Sequence, residues 1–205
     1  MQFSIQKFNA PKGHETLYGN NPYSIEASYD LELDKKEVVV VQWSIETGGI
    51  SIDEGVKIVT GATPFQMDTM ADVGAAKSGA TVYLKYRIFT AESSEGPQLE
   101  LANFDVKVPS KGKVDLGLPT PLTGTLEAQP GGYASCKIEV SSEASGDWCA
   151  AAIITDNTGD SASTAGIAED GSTTLRVGIA GKPKTVSGEV IILGANPWIE
   201  VAAVL

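Results

Sequence analysis

The chain has 205 residues, of which 42% are hydrophobic and 20% charged, and its formal net charge is −11. Such a composition supports hydrophobic cores and excludes extensive disorder. The negative charge repels phosphate groups, which argues against nucleic acid and anionic membranes as partners.

The length suits two β-sandwich domains of ordinary size. The sequence contains no apolar run of about 18 residues, so we expect no membrane-spanning helix. The N-terminal residues alternate like a strand and lack the apolar core of a secretion signal. We therefore expect a product that is made in the cytoplasm without a cleaved signal. The alternatives are export by a route that uses no cleaved signal, or a mature fragment that has been given a new Met.

Strand periodicity organises the first half of the chain. Residues 2–8 form a predicted first strand, and residues 23–33 alternate between apolar and polar side chains, which places Tyr23 in the core. Residues 37–45 contain four consecutive valines and Trp43, which indicates a core strand with Trp43 buried. We expect the strands at 23–33 and 37–45 to pair as a hairpin through the polar turn at 34–36.

Four further segments complete the predicted first domain. Residues 50–60 read as two short strands. Residues 63–71 are either a helical turn that crosses between sheets or an exposed apolar loop, and we favour the crossover because Phe65 and Met67 would otherwise lie in water. Residues 81–88 alternate strongly and place Tyr86 in the core. Residues 99–108 supply the closing strands.

Residues 109–123 contain three prolines and little periodicity, which is typical of a stiff linker. The predicted organisation is all-β, with two Ig-like antiparallel β-sandwich domains in tandem at 1–108 and 124–205. In the second domain we predict a core strand around Trp148 and a long loop at 155–172. The other predicted strands lie at 124–128, 133–140, 173–179, 188–193 and 198–205.

The two cysteines, Cys136 and Cys149, lie on predicted strands that look like neighbours. They are either two buried free thiols or a disulfide formed under oxidising conditions.

Part of the second half resembles the BACON family of Ig-like domains. The resemblance is carried by residues 138–141, 147–149, 174–177, 184–191 and 199–201. It implies a seven-stranded sandwich. It also implies an occurrence in gut bacteria and in the virions of their phages, where carbohydrate or mucin binding has been proposed.

The residues that catalysis requires are scarce. The only histidine is His14, so a Ser or Cys nucleophile would lack its usual base. One histidine and two cysteines cannot assemble a closed zinc site, and no phosphate-binding glycine motif is present. We therefore predict a protein that is not an enzyme and has no cofactor.

Three carboxylates are candidates for a calcium site. Asp156, Asp160 and Asp170 supply hard oxygen ligands, but their spacing matches no EF-hand loop. The alternative is that they belong to solvated turns.

Three aromatic residues near turns are candidate ligand contacts. Tyr18, Tyr133 and Trp198 could each stack against a sugar ring, although each could instead cap a sheet or pack in a core.

The first functional hypothesis is a structural component of a phage or virus particle, such as a capsid decoration, head-fibre or tail protein. Its partners would be other virion proteins or further copies of the chain. The alternative is a carbohydrate-binding or adhesive module that is secreted or lies at a cell surface. A third, a β-sandwich toxin, rests only on residues 63–71.

Overall fold

The computed structural model describes residues 3–9, 23–31, 38–60, 65–71, 81–91, 102–143 and 145–204. These residues form antiparallel strands and turns, and no helix occurs among them. The strands are β1 (Phe3–Asn9), β2 (Tyr23–Leu31), β3 (Val38–Thr47), β4 (Ile50–Thr60), β5 (Phe65–Ala71), β6 (Thr81–Thr90), β7 (Ala102–Lys107), β8 (Lys113–Asp115), β9 (Leu122–Gln129), β10 (Tyr133–Ser141), β11 (Trp148–Asp156), β12 (Ser161–Ile167), β13 (Ser172–Ile179), β14 (Thr185–Ala195) and β15 (Ile199–Val204). The predicted all-β class is confirmed.

The chain divides into two compact units. Unit 1 comprises Met1–Ile88 and Pro197–Leu205, and unit 2 comprises Phe89–Asn196. This division differs from the predicted ranges of 1–108, 109–123 and 124–205. Strand β7 pairs with β14, and β15 pairs with β6, so each joins a unit other than the predicted one.

Unit 1 contains two sheets. One has the order β1-β2-β5, and the other places β6 between β3 and β15, with β4 beyond β3. In the second sheet, Val82, Leu84 and Tyr86 of β6 are buried, as the alternation of residues 81–88 predicts.

The predicted hairpin between residues 23–33 and 37–45 is wrong. Strand β2 pairs with β1 and β5, whereas β3 pairs with β4. The β3–β4 connection is Gly48-Gly49, and both residues have positive φ. A two-residue turn of this kind matches the twist of antiparallel strands, which explains why this pairing forms.

Two segments of unit 1 differ in type from the prediction. Residues 65–71 form strand β5 instead of a helical turn, because pairing with β2 overrides the helix preference of Met and Ala. Residues 50–60 form one strand, β4, instead of two. Trp43 is half-buried, with its ring over Gly55 of that strand.

Unit 2 is a sandwich-like pair of four-stranded sheets. One has the order β13-β10-β9-β8, and the other contains β12, β11, β14 and β7. Their facing side chains form a single core in which Trp148, Ile138 and Leu175 are almost fully buried. The predicted core position of Trp148 is confirmed.

The predicted linker is part of this core. Residues 113–115 form β8, and Leu116 and Leu122 are buried in the cluster that contains Trp148. The loop predicted at 155–172 is also wrong in part, because residues 161–167 form strand β12 against β11. Its small side chains give no apolar alternation, which is why the sequence reads as a loop.

Both cysteines are buried, and no disulfide joins them. Cys136 belongs to the unit 2 core, whereas Cys149 alternates with the core residues Trp148 and Ala150 and therefore lies on the opposite face of β11. The two thiols thus lie on different layers of the sandwich.

Candidate functional site

A cluster of aromatic and charged side chains covers the outer face of β3, β6 and β15 in unit 1. On β6, Lys85 and Arg87 alternate with the core residues Leu84 and Tyr86, so they lie on the opposite face. We call the cluster the Trp198 face, and it consists of Gln42, Ser44, Glu46, Lys85, Arg87, Trp198 and Glu200.

The pairing of β15 with β6 assembles this face from distant parts of the chain. Glu200 lies directly opposite Lys85 in the strand register. Trp198, two residues earlier, therefore lies beside Arg87, whose guanidinium carbon is 4.8 Å from the centre of the indole ring. This distance is that of a cation–π contact.

Arg87 is only 8% exposed and acts as a support beneath Trp198. Its Nε donates a hydrogen bond of 2.7 Å to Oε1 of Gln42 on β3. The Trp198 side chain remains 48% exposed. The indole is thus held in place from below while it presents a large apolar surface to solvent.

Lys85 connects the two carboxylates of the face. Its Nζ lies 2.7 Å from Glu46 Oε2 and 3.9 Å from Glu200 Oε2. The hydrogen bond to Glu46 is the main cause of the raised pKa of Lys85. Lys85 is therefore a protonated partner of both carboxylates.

A recess of about 540 Å³ opens beside the indole ring. Ser44, Glu46, Lys85, Trp198, Ile199 and Glu200 line it. Pockets that bind small molecules combine apolar surface with a few convergent polar groups, and this recess has both.

Of the two described aromatic residues that were predicted to contact a ligand, Trp198 lies at this recess and Tyr133 does not. Tyr133 begins β10 in unit 2 and is 41% exposed, but its ring covers Gly178 of the neighbouring strand. Tyr18 lies outside the described residues, as does His14. The side chain of Tyr23, predicted to lie in the core, is also outside the described part.

The calcium candidates occupy two separate turns of unit 2. Oδ1 of Asp156 accepts hydrogen bonds from the Thr158 amide and hydroxyl and from the Asp160 amide. Asp170 and Gly171 form a two-residue turn between β12 and β13, with positive φ at both positions. Across the described ranges, no group of three or more His, Cys, Asp or Glu residues is placed to hold a metal ion.

A second recess, of about 330 Å³, lies on unit 2 between β8, β9 and β10. Its lining includes Thr123, Lys137 and Glu139, and the two charged groups form an ion pair. No aromatic side chain lines this recess, so it offers no flat apolar platform.

Sequence reasoning identified Trp198 but missed its supporting residues. The alternation of residues 81–88 already implies that Lys85 and Arg87 share the outer face of β6. What the sequence does not show is that β15 returns to β6 and brings Trp198 and Glu200 to that face.

Compared with known protein families and with curated proteins, the chain matches no family model and no curated relative. Within the described residues, no helix has the length and apolar character needed to cross a membrane.

Proposed function

We propose that the protein is a non-enzymatic binding module and that the Trp198 face binds carbohydrate. The observation that carries this proposal is the exposed indole of Trp198, held on Arg87 at the edge of a polar recess. A fixed aromatic ring costs little conformational entropy on binding, so the face is preorganised for a flat ligand.

A sugar ring matches the two kinds of surface at this site. Its C–H groups form an apolar face that packs against an aromatic ring, while its hydroxyls need hydrogen-bond partners. The Glu46 and Glu200 carboxylates and the Ser44 hydroxyl line the same recess and can accept such bonds.

The test is binding of the Trp198→Ala variant to an array of glycans. We expect binding to weaken by about fivefold or more, because an aromatic contact contributes about 1 kcal/mol beyond the area that it buries. Ile50→Ala is the matched control, since Ile50 is an apolar residue of the same unit and is 69% exposed. Equal binding by Trp198→Ala and the unaltered protein would refute the assignment to this face.

We also propose a setting for this module: a structural component of a phage or virus particle, assembled with other virion proteins or with further copies of the chain. The support is the strand architecture of both units and the resemblance of the second half to Ig-like BACON domains. As part of this setting, we also propose that each unit is an Ig-like domain. Of the residues that carry the BACON resemblance, residues 199–201 lie in β15, which belongs to unit 1.

Mass spectrometry of purified particles tests this setting. We expect stoichiometric amounts of the chain in particles that remain after density-gradient purification. Recovery of the chain only from uninfected cells or from their surface would contradict it and favour a cell-surface adhesin.

A further inference from the structure

The positive and negative charges of the Trp198 face are equal in number. Lys85 and Arg87 supply two cations, and Glu46 and Glu200 supply two carboxylates. A binding surface for anionic ligands usually presents cationic groups that are not already neutralised by nearby carboxylates.

Lys85, the cation that lines the recess, already interacts with carboxylates of the protein itself. Its ammonium contacts Glu46 at 2.7 Å and lies 3.9 Å from Glu200. A carboxylate or sulfate on an incoming ligand would have to approach Lys85 beside Glu46 and Glu200, whose negative charges repel it.

Arg87 is no better placed to receive an anion. It lies beneath the indole, is almost fully buried, and donates its Nε hydrogen to Gln42. Its position suits the support of Trp198 from below. The net charge of −11 on the whole chain adds a long-range repulsion of polyanions.

The carboxylates, by contrast, suit a ligand rich in hydroxyl groups. A carboxylate only accepts hydrogen bonds, and those it accepts from hydroxyls are charge-assisted and short. At Glu46, Lys85 contacts Oε2 and the Ser44 hydroxyl donates a hydrogen bond of 3.4 Å to Oε1. Each carboxylate oxygen has two lone pairs, so both Glu46 and Glu200 keep acceptor capacity.

We infer that the Trp198 face selects neutral glycans over anionic ones, with Glu46 and Glu200 accepting hydrogen bonds from sugar hydroxyls and Lys85 holding both carboxylates in position. This inference rests on the proposed carbohydrate-binding function, and it names the class of sugar. Uronic-acid polymers and sulfated glycans would be excluded by charge.

The experiment measures binding to neutral and anionic polysaccharides by affinity electrophoresis and glycan array. The neutral probes are a β-glucan, a galactan and a mannan, and the anionic probes are polygalacturonate and chondroitin sulfate. The informative variant is Glu46→Gln combined with Glu200→Gln, which removes both negative charges but keeps the side-chain size. Glu139→Gln is the matched control, because Glu139 pairs with Lys137 on the surface of unit 2.

We expect the unaltered protein to bind at least one neutral probe and neither anionic probe. The double variant should bind the neutral probe about tenfold more weakly, because hydrogen bonds to charged groups contribute about 1.5–3 kcal/mol. It should also gain affinity for polygalacturonate, because Lys85 is no longer neutralised. The control should keep the binding pattern of the unaltered protein.

The outcomes separate this inference from the proposed function. Trp198-dependent binding of anionic glycans by the unaltered protein would overturn the inference and leave the proposed function standing. A double variant that gains no anionic binding, or a Glu139→Gln control that gains as much, would also overturn it. Binding of no glycan at all would overturn both.

Discussion

At the residue scale, Asp156 organises the turn between β11 and β12. One of its carboxylate oxygens accepts three hydrogen bonds, two of them from Thr158 and one from the Asp160 amide, at 2.7–3.0 Å. The hydrogen bond from the Thr158 hydroxyl is the main cause of the lowered pKa of Asp156. The carboxylate is therefore committed to the turn, which explains how a sequence rich in Asp, Asn and Gly forms an ordered connection.

We predict that Asp156 makes stability depend on acid pH. A group with a lowered pKa in the folded state stabilises fully above its unfolded pKa, 3.8, and loses this contribution as the pH falls through the lower folded pKa. Asp156→Asn should therefore weaken the fall in stability below pH 3.8, whereas Asp156→Ala should lower stability at neutral pH as well. Chemical denaturation of the three proteins at pH 7 and pH 3 measures both effects.

Asp160→Asn is the control for this experiment, because Asp160 is an exposed carboxylate of the same turn. An Asp156→Asn variant with the same acid sensitivity as the unaltered protein would contradict the prediction.

A second prediction concerns the reactivity of the two buried cysteines. Burial raises the pKa of Cys136 to about 11, so its reactive thiolate is almost absent at neutral pH. We expect neither cysteine to react with Ellman's reagent in the native protein and both to react in guanidinium chloride. Rapid reaction of a thiol before unfolding, or a mass showing a disulfide, would contradict this prediction.

At the element scale, three glycines within strands are each covered by an aromatic ring from a neighbouring strand. Trp43 lies over Gly55, Phe104 over Gly188, and Tyr133 over Gly178. A glycine in a strand has no side chain to pack, and an aromatic ring above it restores the missing apolar contact. These pairs therefore stabilise strands that glycine alone would weaken.

We predict that Gly188→Val destabilises the protein by about 2 kcal/mol, in the range of overpacked cores. A Cβ atom at this position would collide with the ring of Phe104, a buried core residue. Ser187→Val is the control, because Ser187 is exposed on the adjacent position of the same strand. Chemical denaturation provides the measurement, and equal stability of the two variants would show that the ring moves without cost.

The strands differ in how far they could be predicted from the sequence. Alternation identified β6, and β11 was identified as a core strand around Trp148, because the apolar residues of these strands follow one another in a pattern that the sequence itself shows. Strand β5 was missed because Met and Ala favour helices, and β12 because its small side chains give no apolar alternation. Pairing partners elsewhere in the chain determine the conformation of both. The Trp198 face was only partly predictable for the same reason.

In the molecule as a whole, the predicted linker and the last strand determine which residues belong to each unit. Leu116 and Leu122 of the predicted linker are buried in the unit 2 core, together with Ala102 and Phe104 of β7. Proline content and the lack of periodicity indicated a stiff linker, but the apolar residues between the prolines make the segment part of the fold.

We predict that the fragment 89–196 folds cooperatively and that the fragment 124–205 does not. The shorter fragment lacks the core side chains of residues 102–122, and its final strand has lost its partner β6. Thermal unfolding followed by circular dichroism distinguishes the two. A sharp transition in 124–205 would instead support the boundary that the sequence suggested.

The return of β15 to β6 also has a mechanical consequence. Both segments of unit 1, Met1–Ile88 and Pro197–Leu205, are joined to each other by the hydrogen bonds between these two strands, and unit 2 is inserted between them. A pulling force applied between the two ends of the chain therefore passes through unit 1 and bypasses unit 2 while those bonds hold. Unit 2 bears tension only after β15 has detached from β6. The strength of the pairing between β15 and β6 therefore determines which unit unfolds first under force.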